Sequence, residues 1–201
     1  MGGTEPVTIS TSFRIGLFFG SFNPIHNGHL GIARYMLAEG LCKAVWFVVS
    51  PCNPFKQDRE LLPEQQRLEM VQQAIAGEPG MRACDVEFDM PKPSYTYLSL
   101  QRLSESYPGE QFALIMGGDN LRGFHQWRNY KTIQEHYPIL VYPRPGYDTS
   151  TIYYPNVIRT EAPLFPISST AIRQMVVRGE DVSSLVPRAV LPLVEQALKQ
   201  G

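Results

Sequence analysis

Apolar residues along this chain alternate between two rhythms. Short runs at residues 14–19, 44–49 and 111–116 carry few polar side chains, which suits parallel strands buried on both faces. Between them, the stretches 29–39, 61–76 and 96–107 repeat their apolar positions at helical spacing. Leu30, Ala33, Met36 and Leu37 form the first stripe, and Leu68, Val71 and Ile75 the second. A weaker strand is expected over 82–88, further strands over 138–142 and 156–159, and helices over 169–178 and 188–199. This alternation predicts an α/β fold: a doubly wound, Rossmann-like parallel sheet flanked by helices, with right-handed crossovers. In such a sheet, ligands gather beyond the carboxyl ends of the strands, where the strand order reverses.

With 201 residues, 43% hydrophobic and 18% charged, the chain is long enough for one well-cored globular domain. Residues 1–12 read as a flexible tail rich in Thr, Ser and Gly, and 13–201 as the domain. The formal net charge of -1 argues against a broad nucleic-acid or membrane surface, so any cationic patch is expected to be local. Three cysteines without paired spacing fit a reducing cytoplasm, and no apolar run reaches bilayer length. A homo-oligomer stays open.

The chemistry concentrates where the first strand meets the first helix, in Gly20-Ser21-Phe22-Asn23-Pro24-Ile25-His26-Asn27-Gly28-His29. Gly20 and Gly28 allow close approach of the backbone to a ligand, Pro24 stiffens the turn, and the free amides of the helix start attract an anion. His26 and His29 can donate hydrogen bonds to a phosphate whose charge grows in a transition state. The same spacing also suits half a zinc site, for which no further ligand cluster is evident, or ordinary loop and cap residues. Near the other end, Ile167-Ser168-Ser169-Thr170-Ala171-Ile172-Arg173 places a hydroxyl N-cap, Ser168 or Ser169, ahead of a helix. Arg173 would bring its guanidinium near the same amides, a combination suited to a triphosphate tail. P-loop and GxGxxG fingerprints are both missing.

The first run resembles the (T/H)xGH signature of the nucleotidyltransferase superfamily, and the second resembles its ISSTxxR motif, in the usual order. The segments Pro93-Ser94-Tyr95-Thr96-Tyr97, Gly117-Gly118-Asp119-Asn120-Leu121 and Phe124-His125-Gln126-Trp127 are similar to those of the bacterial nicotinate-mononucleotide adenylyltransferases. The likeness runs from about residue 15 to 178. It implies transfer of the adenylyl group of ATP to nicotinate mononucleotide in NAD biosynthesis, with Mg²⁺ carried by ATP and no metal ligands from the protein.

The resemblance also implies roles. His26, His29 and Arg173 would contact the reacting phosphates. Gly20, Ser21, Phe22, Gly28, Gly117, Asp119, Ile167, Ser168, Ser169 and Thr170 would bind ATP, and Asn23, Lys56, Ser94, Tyr95, Thr96 and Trp127 the acceptor. Trp127 would stack on the pyridine, unless it is a core or interface aromatic. Asp119 would accept from ribose hydroxyls or cap a helix, and Thr96 could cap the helix it begins. Arg67 would buttress the neighbouring loop. Asn23 stands where many relatives carry Asp, and Gly118 where many carry Ala, which leaves the choice between nicotinate and nicotinamide mononucleotide open. The remaining readings are an adenylyltransferase for phosphopantetheine, a cytidylyltransferase, and a non-catalytic nucleotide-binding regulator.

Overall fold

The structure, a computed structural model, describes residues 14–52 and 61–199. The expected tail over 1–12 and the expected acceptor ligand Lys56 lie outside the described residues.

Six strands form one parallel sheet in the order β3-β2-β1-β4-β5-β6. They are β1 (Arg14–Gly20), β2 (Ala44–Val49), β3 (Met81–Cys84), β4 (Gln111–Gly117), β5 (Ile139–Tyr142) and β6 (Val157–Arg159). The chain winds outward from β1 through β2 to β3, then returns to the other side of β1 to continue with β4. The order therefore reverses between β1 and β4, where Phe18 lies in register with Ile115. That is the position where a doubly wound sheet opens a crevice at its carboxyl edge.

Successive strand residues point to opposite faces, and the two faces build two cores. Val45, Phe47 and Val49 join a cluster with α1 (Asn27–Ala38), α2 (Glu64–Ile75), α6 (Ser169–Val177) and α7 (Leu191–Lys199). Trp46 and Val48 join the opposite cluster with α3 (Thr96–Ser106) and α5 (Tyr130–His136). Burial on both faces explains why the central strands read as continuous apolar runs.

Several boundaries differ from the sequence expectation. β3 stops at Cys84, and the chain turns over the next residues to draw Glu87 inward. There Ser99 Oγ donates to Glu87 Oε1 at 2.6 Å, and burial raises the carboxyl's pKa. α2 begins at Glu64 because Pro63 holds its N-cap. Between β4 and β5 the chain forms α4 (Gly118–Arg122), a 3-10 turn (Phe124–Gln126) and α5, which no periodicity announced. Leu121, Phe124 and Ile133 are their fully buried anchors, too few and too unevenly spaced to make a stripe. Among the described residues no helix is long and apolar enough to cross a membrane.

Candidate active site

β1 delivers the chain to the carboxyl edge at Gly20, and α1 starts at Asn27 with His26 as its N-cap. The loop between them is packed from below. Phe22 is 3% exposed and sets its ring edge-on to His29 at 5.0 Å and to Phe18 at 5.8 Å. Its φ of 47° is unusual for a bulky residue and is held by that packing. The same ring occupies the space a side chain at Gly20 would need, 2.9 Å from its Cβ position. Gly20 thus makes room for Phe22.

His26 and His29 stack face to face, with ring centroids 3.6 Å apart and planes 19° from parallel. The His26 backbone N–H donates to His29 Nδ1 at 3.2 Å. This bond assigns the neutral His29 proton to Nε2, which leaves an N–H donor on the far side of the ring. His26 is 4% exposed. Burial, helped by the positive charge of Arg144, pulls its pKa down to about 3 against a backbone hydrogen bond that raises it. His26 is therefore a neutral donor or acceptor at pH 7.

The second motif closes onto this loop. Ser168 caps α6 by accepting from the Ala171 N–H at 3.1 Å, and Ser169 Oγ donates to the Pro24 carbonyl at 2.9 Å. Arg173 was expected to face the amides of its own helix start. Its Nη2 lies 3.5 Å from Thr170 Oγ1 in the first turn of α6, and its Nη1 reaches on to donate to the Asn23 carbonyl at 2.8 Å. The carbonyls of the first loop are close enough to draw it inward. Ile167 and Phe165 complete the wall of a cavity of about 10 Å³ that also touches His26, Gly28, His29 and Arg144. Phe165 lies so near α1 that a Cβ at Gly31 would meet its ring at 2.2 Å.

Arg144 is a site residue the sequence reading missed. It stands two positions beyond β5, and its Nε is 3.5 Å from the Asp119 carboxylate. The available signal was positional: a cation just past an apolar strand lies on the ligand edge, like Gly117 and Asp119. Asp119 is in the first turn of α4, whose N-cap is Gly117, so it does not cap that helix. Its Oδ1 lies over Gly117, 2.3 Å from where a Cβ would be.

The expected acceptor segments also reach the carboxyl edge. The Ser94 N–H donates to the Cys52 carbonyl at 2.9 Å, just beyond β2. Tyr95 is the N-cap of α3 without a side-chain cap bond, and Thr96 is the first helical residue, so Thr96 does not cap it. Trp127 is half-buried and packs edge-on to Phe124 at 5.5 Å. Arg128, beside it, stacks its guanidinium on the Tyr95 ring at 4.9 Å and so bridges the two segments.

Asn23, 2% exposed, accepts the Leu62 N–H on Oδ1 at 3.2 Å. Arg67, 1% exposed, holds the whole floor together. It donates to the carbonyls of Leu62 (2.8 Å), Ser21 (2.6 Å), Ser50 (2.9 Å) and Pro51 (3.4 Å). Among the described residues, no three His, Cys, Asp or Glu side chains converge to hold a metal ion.

The cytidylyltransferase-like family model matches residues 17–175. A Cytophaga hutchinsonii protein named "probable nicotinate-nucleotide adenylyltransferase" is 47% identical over 182 residues, covering 90% of this chain and 95% of its own. A Bacteroides fragilis protein of the same name is 45% identical over 91% of this chain and 92% of its own. Among solved structures, Plasmodium falciparum nicotinic acid mononucleotide adenylyltransferase complexed with NaAD superposes with a TM-score of 0.76 at 17% identity. It covers 91% of this chain and 95% of that one, a likeness of fold. The chain belongs to the cytidylyltransferase-like family and, within it, to the nicotinate-nucleotide adenylyltransferases.

Proposed function

We propose that this protein transfers the adenylyl group of ATP to nicotinate mononucleotide, forming nicotinate adenine dinucleotide and pyrophosphate in NAD biosynthesis. The observation that carries the residue assignment is the stacked His26 and His29 pair at the carboxyl edge, with Arg144 and the second motif closed over it. An acceptor phosphate oxygen attacks the α-phosphorus of ATP while the bond to the pyrophosphate oxygen breaks. The attacking oxygen of the acceptor phosphate is already ionised at neutral pH, so no side chain has to remove a proton, and the negative charge released leaves with pyrophosphate. The protein's contribution is alignment and stabilisation of the charge on the transferring group.

In this reading His29 donates from Nε2 to an α-phosphoryl oxygen, and neutral His26 orients it through the ring stack. Arg173, Ser168, Ser169 and Thr170 form the face toward the β and γ phosphates, and Arg144 adds charge beside it. Gly20, Ser21, Phe22, Gly28 and Ile167 shape the loop and its wall, while Gly117 and Asp119 receive the ribose. Asn23, Ser94, Tyr95, Thr96 and Trp127 form the acceptor side, with the pyridine against the indole face, and Lys56, outside the described residues, is assigned to the acceptor phosphate from the family resemblance alone. In this reading Mg²⁺ arrives with ATP, held by its phosphate oxygens and water.

The test is pyrophosphate release from ATP and Mg²⁺ with nicotinate mononucleotide, nicotinamide mononucleotide or phosphopantetheine, with products identified by mass. Nicotinate adenine dinucleotide as the main product supports the proposal. Turnover with phosphopantetheine alone, or no turnover by folded protein that binds ATP, overturns it.

A further inference from the structure

We propose that Glu87 is a positioning residue for the acceptor: it holds the segment Ser94-Tyr95-Thr96 against the end of β2 and so sets how tightly the acceptor binds, acting through those residues rather than on a substrate. The inference rests on the adenylyl-transfer reading above and concerns a residue outside the expected site set. Three carboxylates stand at alternate positions in the turn after β3. Asp85 and Asp89 are exposed, whereas Glu87 between them is 1% exposed. Burying a carboxyl is costly unless it is hydrogen-bonded, so its inward place calls for partners.

Those partners come from two elements that border the acceptor side. Ser99, fully buried on α3, donates from Oγ to Glu87 Oε1 at 2.6 Å. The hydroxyls of Ser94, just before α3, and Ser50, just beyond β2, act on the carboxyl more loosely. Ser94 Oγ and Glu87 Oε2 are both buried and close no hydrogen bond of normal length and angle. All three hydroxyls favour the ionised form, against burial, which is the largest influence and raises the pKa. The Ser94 hydroxyl thus lies on the protein side of its segment, not the ligand side.

This arrangement brackets the acceptor segment. Ser94 and Ser99 lie on either side of Tyr95 and Thr96, and one carboxyl engages both. The Ser94 N–H donates to the Cys52 carbonyl at 2.9 Å, and the Ser50 N–H donates to the Gly20 carbonyl at 2.9 Å, where the loop carrying the imidazoles begins. Glu87 therefore links the acceptor segment to the strand end that also supports that loop. A carboxylate accepts from several hydroxyls at once, and an apolar side chain of similar size would fill the space with none of those bonds. Its loss would free the start of α3 relative to β2. On the phosphate side, α6 would keep its own ties to the Asn23 and Pro24 carbonyls. The effect is thus expected on the acceptor rather than on ATP.

The experiment measures kcat and KM for nicotinate mononucleotide and for ATP in the wild-type protein, Glu87→Gln, Glu87→Leu and Ser99→Ala, with urea unfolding alongside. Glu87→Leu is expected to raise KM for the acceptor by about tenfold, the scale of one hydrogen bond to a charged group, and to leave KM for ATP nearly unchanged. Glu87→Gln keeps an oxygen that accepts from Ser99 and should restore most of the acceptor affinity. Ser99→Ala removes the shortest bond while leaving the carboxyl in place and should reproduce the split in weaker form. An unmoved acceptor KM in Ser99→Ala overturns the inference even where Glu87→Leu does not fold. A purely structural role would lower stability with the two KM values unmoved or moved alike, which also overturns it. Wild-type turnover of nicotinate mononucleotide without the split in the variants removes only this inference. Failure of the wild type on nicotinate mononucleotide removes the proposed function, and this inference with it.

Discussion

Arg173 on α6 donates from Nη1 to the backbone carbonyl of Asn23 at 2.8 Å, joining two motifs separated by 150 positions. The contact is buried, and Ser169 repeats the link one turn earlier through the Pro24 carbonyl. The helix that carries the second motif is thus fastened to the loop that carries the two imidazoles. Arg173→Ala removes a charged donor from a buried carbonyl and should cost about 1.5–3 kcal/mol of stability. It should also lower kcat, because the loop loses its tie and the phosphates lose a cation. Arg173→Lys keeps the charge without the fork and should recover part of the stability. Urea unfolding and steady-state kinetics on both variants check this; a fully stable, fully active Arg173→Ala would dismiss the tie.

Arg67 makes the larger structural claim. Its guanidinium serves the carbonyls of Leu62, Ser21, Ser50 and Pro51, so one side chain joins the ends of β1 and β2 to the entry of α2. Burial lowers its pKa, with the Glu64 carboxylate opposing. The guanidinium stays charged because arginine does not deprotonate in proteins. Arg67→Met should cost about 3 kcal/mol or more, since it leaves several buried acceptors without a donor. Arg67→Lys should rescue little, because one ammonium cannot reach acceptors spread around a fork. Equal stability of wild type and Arg67→Met in chemical denaturation would contradict this account.

His26 gives a pH signature. Its pKa is about 3 in the folded protein against 6.5 when unfolded, chiefly from burial. Below pH 6.5 the unfolded chain binds a proton that the folded one excludes. The contribution of a neutral, buried His26 is therefore complete above pH 6.5 and declines as pH falls toward the folded value. The slope is about 1.4 kcal/mol per pH unit within that window. Stability of ligand-free protein should thus fall between pH 6.5 and 5, and His26→Asn should flatten the fall. The check is the difference between wild type and variant at each pH, which cancels other titrating groups; a parallel pair of curves would reject the assignment.

The fold and the two outer motifs were legible because their causes are local. Continuous apolar runs mark β1, β2 and β4, and Ser168 caps its helix through a contact three residues away. The region between β4 and β5 was not legible, since α4 has 5 residues and too few positions to show a period. Arg144 was missed for a different reason. Its nearness to His26 and Asp119 depends on the placement of β5 beside β4, a long-range pairing no window of sequence contains. Arg173 was found as a residue, but its partner was not, because backbone carbonyls carry no sequence signature.

Trp127 packs edge-on to Phe124 and is half-buried, which leaves part of the indole available to a ligand. Trp127→Ala should raise KM for the acceptor several-fold more than KM for ATP. Loss of stacking beyond burial corresponds to about 0.5–1.5 kcal/mol. His29→Ala provides the contrast: it should lower kcat with little change in either KM, as expected for a donor acting mainly in the transition state. If Trp127→Ala affects both substrates equally, the indole is a core aromatic and the pyridine lies elsewhere.

Gly31 and Phe165 should behave as a coupled pair. A Cβ at Gly31 would meet the Phe165 ring at 2.2, 2.5 and 2.9 Å, too close for either to remain in place. Gly31→Ala on α1 improves intrinsic helix propensity, yet the clash should make it destabilising by about 1–3 kcal/mol. Phe165→Ala removes the ring and its packing on α1, which is destabilising on its own account. In the double variant the methyl group enters space the ring has left, so the combined loss should be smaller than the sum of the single losses. A double-mutant cycle by chemical denaturation measures this directly. Simple additivity would mean that the ring does not rest on Gly31, and that the segment before the second motif closes over the histidines by some other contact.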